Sequence, residues 1–187
     1  MAYEQLGAVD AQLNAQLKTY VDALPASDAM LLTPGQQLLM QGQAQRFAYF
    51  IDSGVLVATH IDEQGQEHYK EFYFSGELCF LYSAWITNSN AQYSIEVLQP
   101  AQVRQIAIST LAQPSWQAMV VKLLQQQVLY KEAKEAFLLL KTPQQRYQYL
   151  YTYRRHWLAQ LSLTQVAKYL GISAVSLSRI RKRLGVN

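Results

Sequence analysis

The sequence predicts an α+β chain: an antiparallel, jelly-roll-like β-roll with flanking helices, a long helix, and a small all-α helix-turn-helix module lacking a full wing. Three observations carry that expectation. Glycines at positions 35, 42, 54, 65 and 76 punctuate short runs rich in β-branched and aromatic residues, the rhythm of an antiparallel sandwich, jelly roll or small barrel. Further on, Met119, Leu123, Gln126, Tyr130, Ala133, Phe137 and Leu140 follow alternating four- and three-residue steps, the spacing of a two-stranded coiled-coil seam. Near the C-terminal end Val166, Ala167, Leu170, Ile172, Val175, Leu177, Ile180 and Leu184 recur at helical spacing around Gly171, as two short helices joined by a tight turn do.

In chain order, Leu6, Val9, Leu13, Leu17, Tyr20, Val21 and Leu24 make a helical stripe over residues 3–24 that Pro25 ends. The glycines of the next segment each sit in a polar turn, for example Asp52-Ser53-Gly54 and Phe74-Ser75-Gly76-Glu77. Between them the strands expected are 37–41, 47–51, 55–61, 67–74, 93–98 and 102–108, while residues 79–90 break the rhythm as a short helix and loop. The long helix spans 115–140, with Val120, Leu124 and Val128 as a second stripe suited to packing on the roll. Lys141-Thr142-Pro143 ends it, since proline cannot donate to the ladder and restricts the residue before it. Thr142 caps the following helix, 143–155. Of the two terminal helices, Ser162 or Leu163-Thr164 can open the first, with Thr164 the better N-cap; Gly171 is its left-handed stop and Ser173 the second cap.

Charge divides the chain. Of 16 Lys and Arg and 13 Asp and Glu, residues 142–187 hold eight basic residues (Arg146, Arg154, Arg155, Lys168, Arg179, Arg181, Lys182, Arg183) and no acidic one. The preceding residues are left with a net −5. Solubility charge normally mixes signs, whereas an acid-free block suits a surface that neutralises phosphates. The last helix presents Ser173, Ala174 and Ser176 at its start and Arg179, Lys182 and Arg183 further on. That arrangement fits the DNA major groove, where arginine pairs bidentately with guanine and other cations meet phosphate. Thr164 joins this set from the preceding helix.

Several chemistries find no support in the residues. No apolar run approaches the ~20 residues of a membrane span, and the polar N-terminus lacks the layout of a signal peptide; a cytoplasmic protein is the expectation. A single cysteine, Cys79, leaves no intramolecular disulfide, and its apolar neighbours Leu78, Phe80 and Leu81 predict a buried, inert thiol. The three histidines, His60, His68 and His156, lack metal-ligand spacing, and none stands out as a haem ligand. No catalytic residue, metal site or cofactor is expected, and the chain does not read as an enzyme. Tyr73, Tyr82, Trp85 and Tyr93 would suit either an aromatic pocket or a plain core.

Taken together, the order of N-terminal helix, glycine-punctuated roll, long helix and helix-turn-helix resembles the Crp/Fnr family of bacterial transcription regulators over nearly the whole chain. The resemblance is carried by Pro34-Gly35, Gly42 and Gly54 with the run Phe47–Gly54, by the stretch Gln165–Ser173, and by Ser176–Leu184. It implies residues 1–114 as an effector-domain-like roll, 115–141 as a dimerisation helix and 142–187 as the DNA-binding domain. It further implies a homodimer joined through the 119–140 seam that places two recognition helices in successive major grooves, with RNA polymerase as a further partner. An effector in the roll would bias their orientation.

Three departures qualify what the resemblance implies. Members that bind cyclic nucleotides follow a Gly-Glu-Leu segment, some ten residues on, with an Arg-Ser or Arg-Thr pair. Here Gly76, Glu77 and Leu78 face Ala91-Gln92-Tyr93-Ser94, and no Arg or Lys lies between Glu71 and Pro100. A phosphodiester buried there would lack a counter-charge, so a pocket at Gly76, Glu77, Leu78, Gln92 and Tyr93 is expected not to take a cyclic nucleotide. Second, three residues follow Leu184, too few for a β-hairpin wing, which predicts weaker and more salt-sensitive binding. Third, Ala174 and Val175 stand where many members read bases with Arg and Glu, so readout should rest on Arg179 and Ser176. The alternative is an effector-binding or protein-interaction module that keeps this fold without specific DNA binding.

Overall fold

A computed structural model describes residues 2–25 and 29–186, with side chains from residue 11 onward. Helix α1 (Ala2–Asp22) leads into strands β1 (Met30–Leu32), β2 (Gln37–Leu39), β3 (Phe47–Ile61), β4 (Glu67–Phe74) and β5 (Leu78–Cys79). Helix α2 (Tyr82–Thr87) and strand β6 (Ser94–Ala107) follow, then two 3-10 turns and α3 (Gln117–Leu140). Helices α4 (Pro143–Tyr153), α5 (Arg155–Gln160), α6 (Leu163–Leu170) and α7 (Ala174–Arg183) complete the chain. It divides into two compact units, residues 1–127 and 128–187, and the division falls inside α3.

In the first unit the strands form one antiparallel sheet ordered β1-β6-β3-β4, with β2 also on β6 and β5 on β3. Two pairs of expected strands prove to be single long ones. β3 runs unbroken through the Asp52-Ser53-Gly54 signal and β6 through Pro100. Gly54 is a bulge rather than a turn: its φ is +96°, and a Cβ there would lie 2.4 Å from the Pro100 carbonyl oxygen and 2.5 Å from the Ala101 Cα. The register of β3 against β6 shifts on both sides of it, between Ile51 and Ser53 and between Ser53 and Leu56. Between the Ile51–Val103 and Leu56–Val97 pairs β3 advances five residues and β6 six, and the odd step reverses which side chains of β3 face which way. Accordingly Tyr49 and Ile51 point into the roll before the bulge, and Leu56 and Ala58 after it.

The roll's interior therefore joins Tyr49, Ile51, Leu56, Tyr73, Cys79, Tyr93, Ile95 and Val103. On the other side of the sheet Ala48, Phe50 and Ile106 pack with Leu13, Leu17 and Val21 of α1 and Trp116, Met119 and Leu123 of α3. Leu6 and Val9, expected on the α1 stripe, lie outside the described side chains. Polar ties also fasten α1 to the sheet and to α3. Arg104 on β6 forks onto Asp52 (Nε to Oδ2 3.0 Å, Nη2 to Oδ1 2.9 Å) and reaches Asp22 (2.7 Å), while Lys122 of α3 donates to Gln16 (2.7 Å). The 79–90 segment begins on the last residue of β5 and holds the expected helix, which is α2.

In the second unit the helix boundaries follow their caps. Thr142 and Gln145 form a reciprocal capping box on α4, with Pro143 in the first turn. α6 opens not at Thr164 but at Ser162: the Ser162 hydroxyl accepts from the Gln165 N–H (3.3 Å) and the Gln165 side-chain oxygen from the Ser162 N–H (2.7 Å). Gly171, at φ 71°, ends α6 in the left-handed region, and Ser173 caps α7 by accepting from the Ser176 N–H at 3.1 Å. Tyr147, Leu150, Leu161, Val166, Leu170, Leu177 and Ile180 are buried side chains among these helices. Helix α5, where the sequence offered no separate signal, turns the chain between α4 and α6.

Candidate nucleic-acid interface

Leu177 and Ile180 fix α7 by burying one face. At about 100° per residue, the stripe opposite them consists of Val175, Ser178, Arg179 and Lys182, all exposed. Ser176 and Arg183 stand at its flank and Ala174 on the other side, also exposed. Ser176 is further committed at the helix start, its hydroxyl 2.9 Å from that of Ser173. Thr164 is exposed in the first turn of α6, where it caps nothing. Of the apolar residues at helical spacing, Val175 is 62% exposed.

The basic residues of this unit divide by what they touch. Arg146 is a staple: its guanidinium donates to the carbonyl oxygens of Lys141 (3.0 Å) and Leu170 (3.2 Å) and to that of Leu138, so it satisfies the ends of α3 and α6 at once. Arg154 lies over the Tyr130 and Trp157 rings, Arg155 over Tyr151, and Lys134 of α3 over Tyr169 at 4.5 Å. Arg179, Lys182 and Arg183 remain as exposed cations on α7, with no carboxylate side chain anywhere from residue 142 on. Such a face can neutralise phosphates and offer one guanidinium fork to a base edge.

The seam expected for dimerisation is partly consumed within the chain. Met119 and Leu123 are buried against Leu17, Phe50 and Trp116 in the first unit. Phe137 is buried in the second, with the Tyr149 ring 5.5 Å away. Tyr130 meets Arg154, as above; Gln126 and Ala133 are half-buried, and of the seven only Leu140 is openly exposed. Beyond Leu140, the apolar side chains that α3 leaves exposed are Val121, Val128, Leu129, Leu138 and Leu139. Spacing identified a face of the helix; the chain itself covers much of it.

The residues expected at an effector pocket are placed apart. Gly76 abuts Asn14 of α1, and Leu78 packs in the helix-facing core. The Glu77 carboxylate accepts from the Phe74 N–H (3.0 Å), closing the turn between β4 and β5. Tyr93 belongs to the roll's interior and Gln92 is exposed. What surrounds Tyr93 is a cluster the sequence did not reveal. Lys70 lies 4.2 Å above its ring and 3.5 Å from Glu71, the His60 ring is 5.1 Å away, and Ser83 meets its hydroxyl. Burial, and then the nearby Glu71 carboxylate, push Tyr73, Tyr82, Tyr93 and the Cys79 thiol upward, so all four stay protonated at neutral pH. Lys70 is one residue outside the cation-free stretch, but β4 carries it to Tyr93. An open groove of about 450 Å³ lies elsewhere, lined by Leu38, Phe47, Tyr49, Gln43, Gln105 and Arg46. Among the described residues no group of three His, Cys, Asp or Glu side chains could hold a metal ion, and no helix is long and apolar enough to cross a membrane.

No family model matches the sequence, and no curated protein does. Solved structures do match. FixK2 from Bradyrhizobium japonicum superposes with a TM-score of 0.70 at 15% identity, over 86% of this chain and 85% of that one. A transcriptional regulator of the CRP family from Thermus thermophilus, TTHB099, gives 0.64 at 15% over 83% and 85%. The c-di-GMP-responsive global regulator CLP of Xanthomonas campestris gives 0.63 at 14% over 91% of each chain. The chain has the Crp/Fnr regulator fold. Within it, α6 and α7 are two short helices joined through Gly171, Ile172 and Ser173.

Proposed function

We propose that this chain is a DNA-binding transcription regulator of the Crp/Fnr type rather than an enzyme, acting in the cytoplasm as a homodimer and not answering to cyclic nucleotides. The observation that carries the reading is α7 itself: a capped helix with one apolar face buried, Arg179 and Lys182 on the opposite face, and no acidic residue in the surrounding 46 (142–187). In this reading 142–187 is the DNA-binding domain, 115–141 the dimerisation helix and 1–114 the effector-domain-like roll. Arg179 reads a base edge, Lys182 and Arg183 hold phosphates, and RNA polymerase is the natural further partner.

Dimerisation is assigned to the face of α3 that its own chain leaves open. Val121 (51% exposed), Gln125 and Val128 (57%) recur at four- and three-residue steps, with Leu129 beside them. Against cyclic nucleotides stand two supports. Ala91-Gln92-Tyr93-Ser94 supplies no arginine, and Lys70, a cation near Tyr93, is already engaged with Glu71 and the ring. A second anion there would meet Glu71 as well.

Selection from a random duplex pool at low salt tests the central claim. A two-fold-symmetric motif is expected, with affinity falling steeply as salt rises; recovery of no motif overturns the reading. Arg179→Ala should relax preference at one base position, whereas Lys182→Ala should weaken all sequences alike. Sedimentation of Val128→Glu should show monomer where the native chain shows dimer. Calorimetry with millimolar cyclic AMP or cyclic GMP should show no heat.

A further inference from the structure

On α7 the residue that the charge pattern leaves unexplained is Val175. It stands 62% exposed in the first turn of a helix whose other outward residues beyond Ala174 are hydroxyl-bearing or cationic. It is not core, since Leu177 and Ile180 are buried on the opposite side. Nor is it placed there for helix formation, because β-branched side chains are poor helix formers. Its neighbours on the exposed stripe, at three, four and seven residues on, are Ser178, Arg179 and Lys182. A groove-facing stripe with an apolar end and a guanidinium end matches a specific pair of base features. In the major groove only thymine presents an apolar group, its C5-methyl, while guanine presents the two acceptors that an arginine fork engages.

We propose that Val175 is a specificity-determining residue that reads a thymine methyl group, with Ser178 as its polar neighbour on the reading face and Ser176 excluded from it by its tie to the Ser173 cap. The inference rests on the DNA-binding reading above. Four residues of α-helix advance about 6 Å, and stacked bases rise about 3.4 Å. The thymine read by Val175 therefore lies about two base steps from the guanine read by Arg179, once in each half-site.

The test uses the full chain and the duplex it selects. Each thymine is replaced in turn by deoxyuridine, which deletes the methyl group and leaves base pairing unchanged. Native protein should lose about three- to fivefold in affinity per half-site at one thymine position, the value of one desolvated methyl, and little at the others. With Val175→Ala, a substitution to a better helix former that leaves the fold intact, that penalty should vanish while Arg179's guanine preference persists. If a motif is selected but no thymine shows a methyl penalty, the inference is overturned and the DNA-binding reading stands. If the penalty persists in Val175→Ala, another residue reads the methyl and the inference is likewise overturned. If no motif is selected, both fall.

Discussion

The two halves of α3 are held in opposite ways. From Gln117 to Gln127 the helix is buried by apolar contact, with Met119, Val120 and Leu123 in one core with Leu13, Leu17 and Val21 of α1. From Val128 on, its ties are directional. Arg146 bonds the Leu138 carbonyl oxygen, Lys134 rests on Tyr169, Arg154 on Tyr130, and Phe137 against Tyr149. The first kind of attachment tolerates salt and depends on volume; the second depends on the placement of single cations and rings. The difference also sorts the basic residues of an acid-free block. Arg146 turns inward to close helix ends, and Arg179 and Lys182 turn outward.

The comparison breaks most readily at Leu123. Leu123→Ala should cost about 2–4 kcal/mol through lost burial and the cavity left behind. Hydrogen exchange should show protection falling in α1 and the sheet while α6 and α7 keep theirs; equal loss in both units would mean that the halves are not separately held. Arg146→Met should cost about 2–3 kcal/mol by orphaning carbonyl oxygens at two helix ends, with the loss confined to α4–α7. Lysine should not rescue it, since one ammonium cannot reproduce the guanidinium fork.

A smaller contrast lies in pH. His68, 2.7 Å away, and the Gln66 N–H hold Asp62 below the usual carboxylate range, and Lys18 and Arg104 do the same for Asp22. Depressed folded-state values mean that this stability is present above the unfolded pKa of 3.8 and is lost as pH falls through the folded values. Acidification below about 4 should therefore loosen the first unit, seen as early broadening of its amide resonances, while α4–α7, which hold no Asp or Glu, lag behind. Smallest of all, Lys134→Ala should cost about 0.5–1 kcal/mol, the value of an exposed cation–π contact, measured by urea unfolding.

Much of the fold was legible because local chemistry decided it. Thr142, Gly171 and Ser173 act where their side chains or backbone freedom suit them. The choice of Ser162 over Thr164 was also readable, since Gln165 three residues on completes a capping box only with Ser162. Other features depended on what the chain brings near. Asp52-Ser53-Gly54 has the same chemistry as a turn or as a bulge, and the partner strand settled which. The heptad spacing marked residues sharing a face of α3, but α1 and α4 determined that Met119, Leu123 and Phe137 are covered. Val175 fits the apolar spacing of α7 yet is exposed, because periodicity cannot distinguish a buried stripe from its immediate neighbour. Lys70 reached Tyr93 only through the pairing of β4 with β3.

The bulge at Gly54 makes the roll sensitive to counting rather than to chemistry. Removing one residue between 52 and 55 would act like a shifted reading frame in three dimensions. Tyr49 and Ile51 would trade places with Ala48 and Phe50, carrying a hydroxyl into the apolar layer beneath α1 and putting Ala48 and Phe50 into the roll's interior with Tyr73 and Tyr93. Many substitutions at Ser53 should be harmless, because its side chain is solvent-exposed. A change in length there should not be, and among relatives this short stretch should vary in letters while keeping its number.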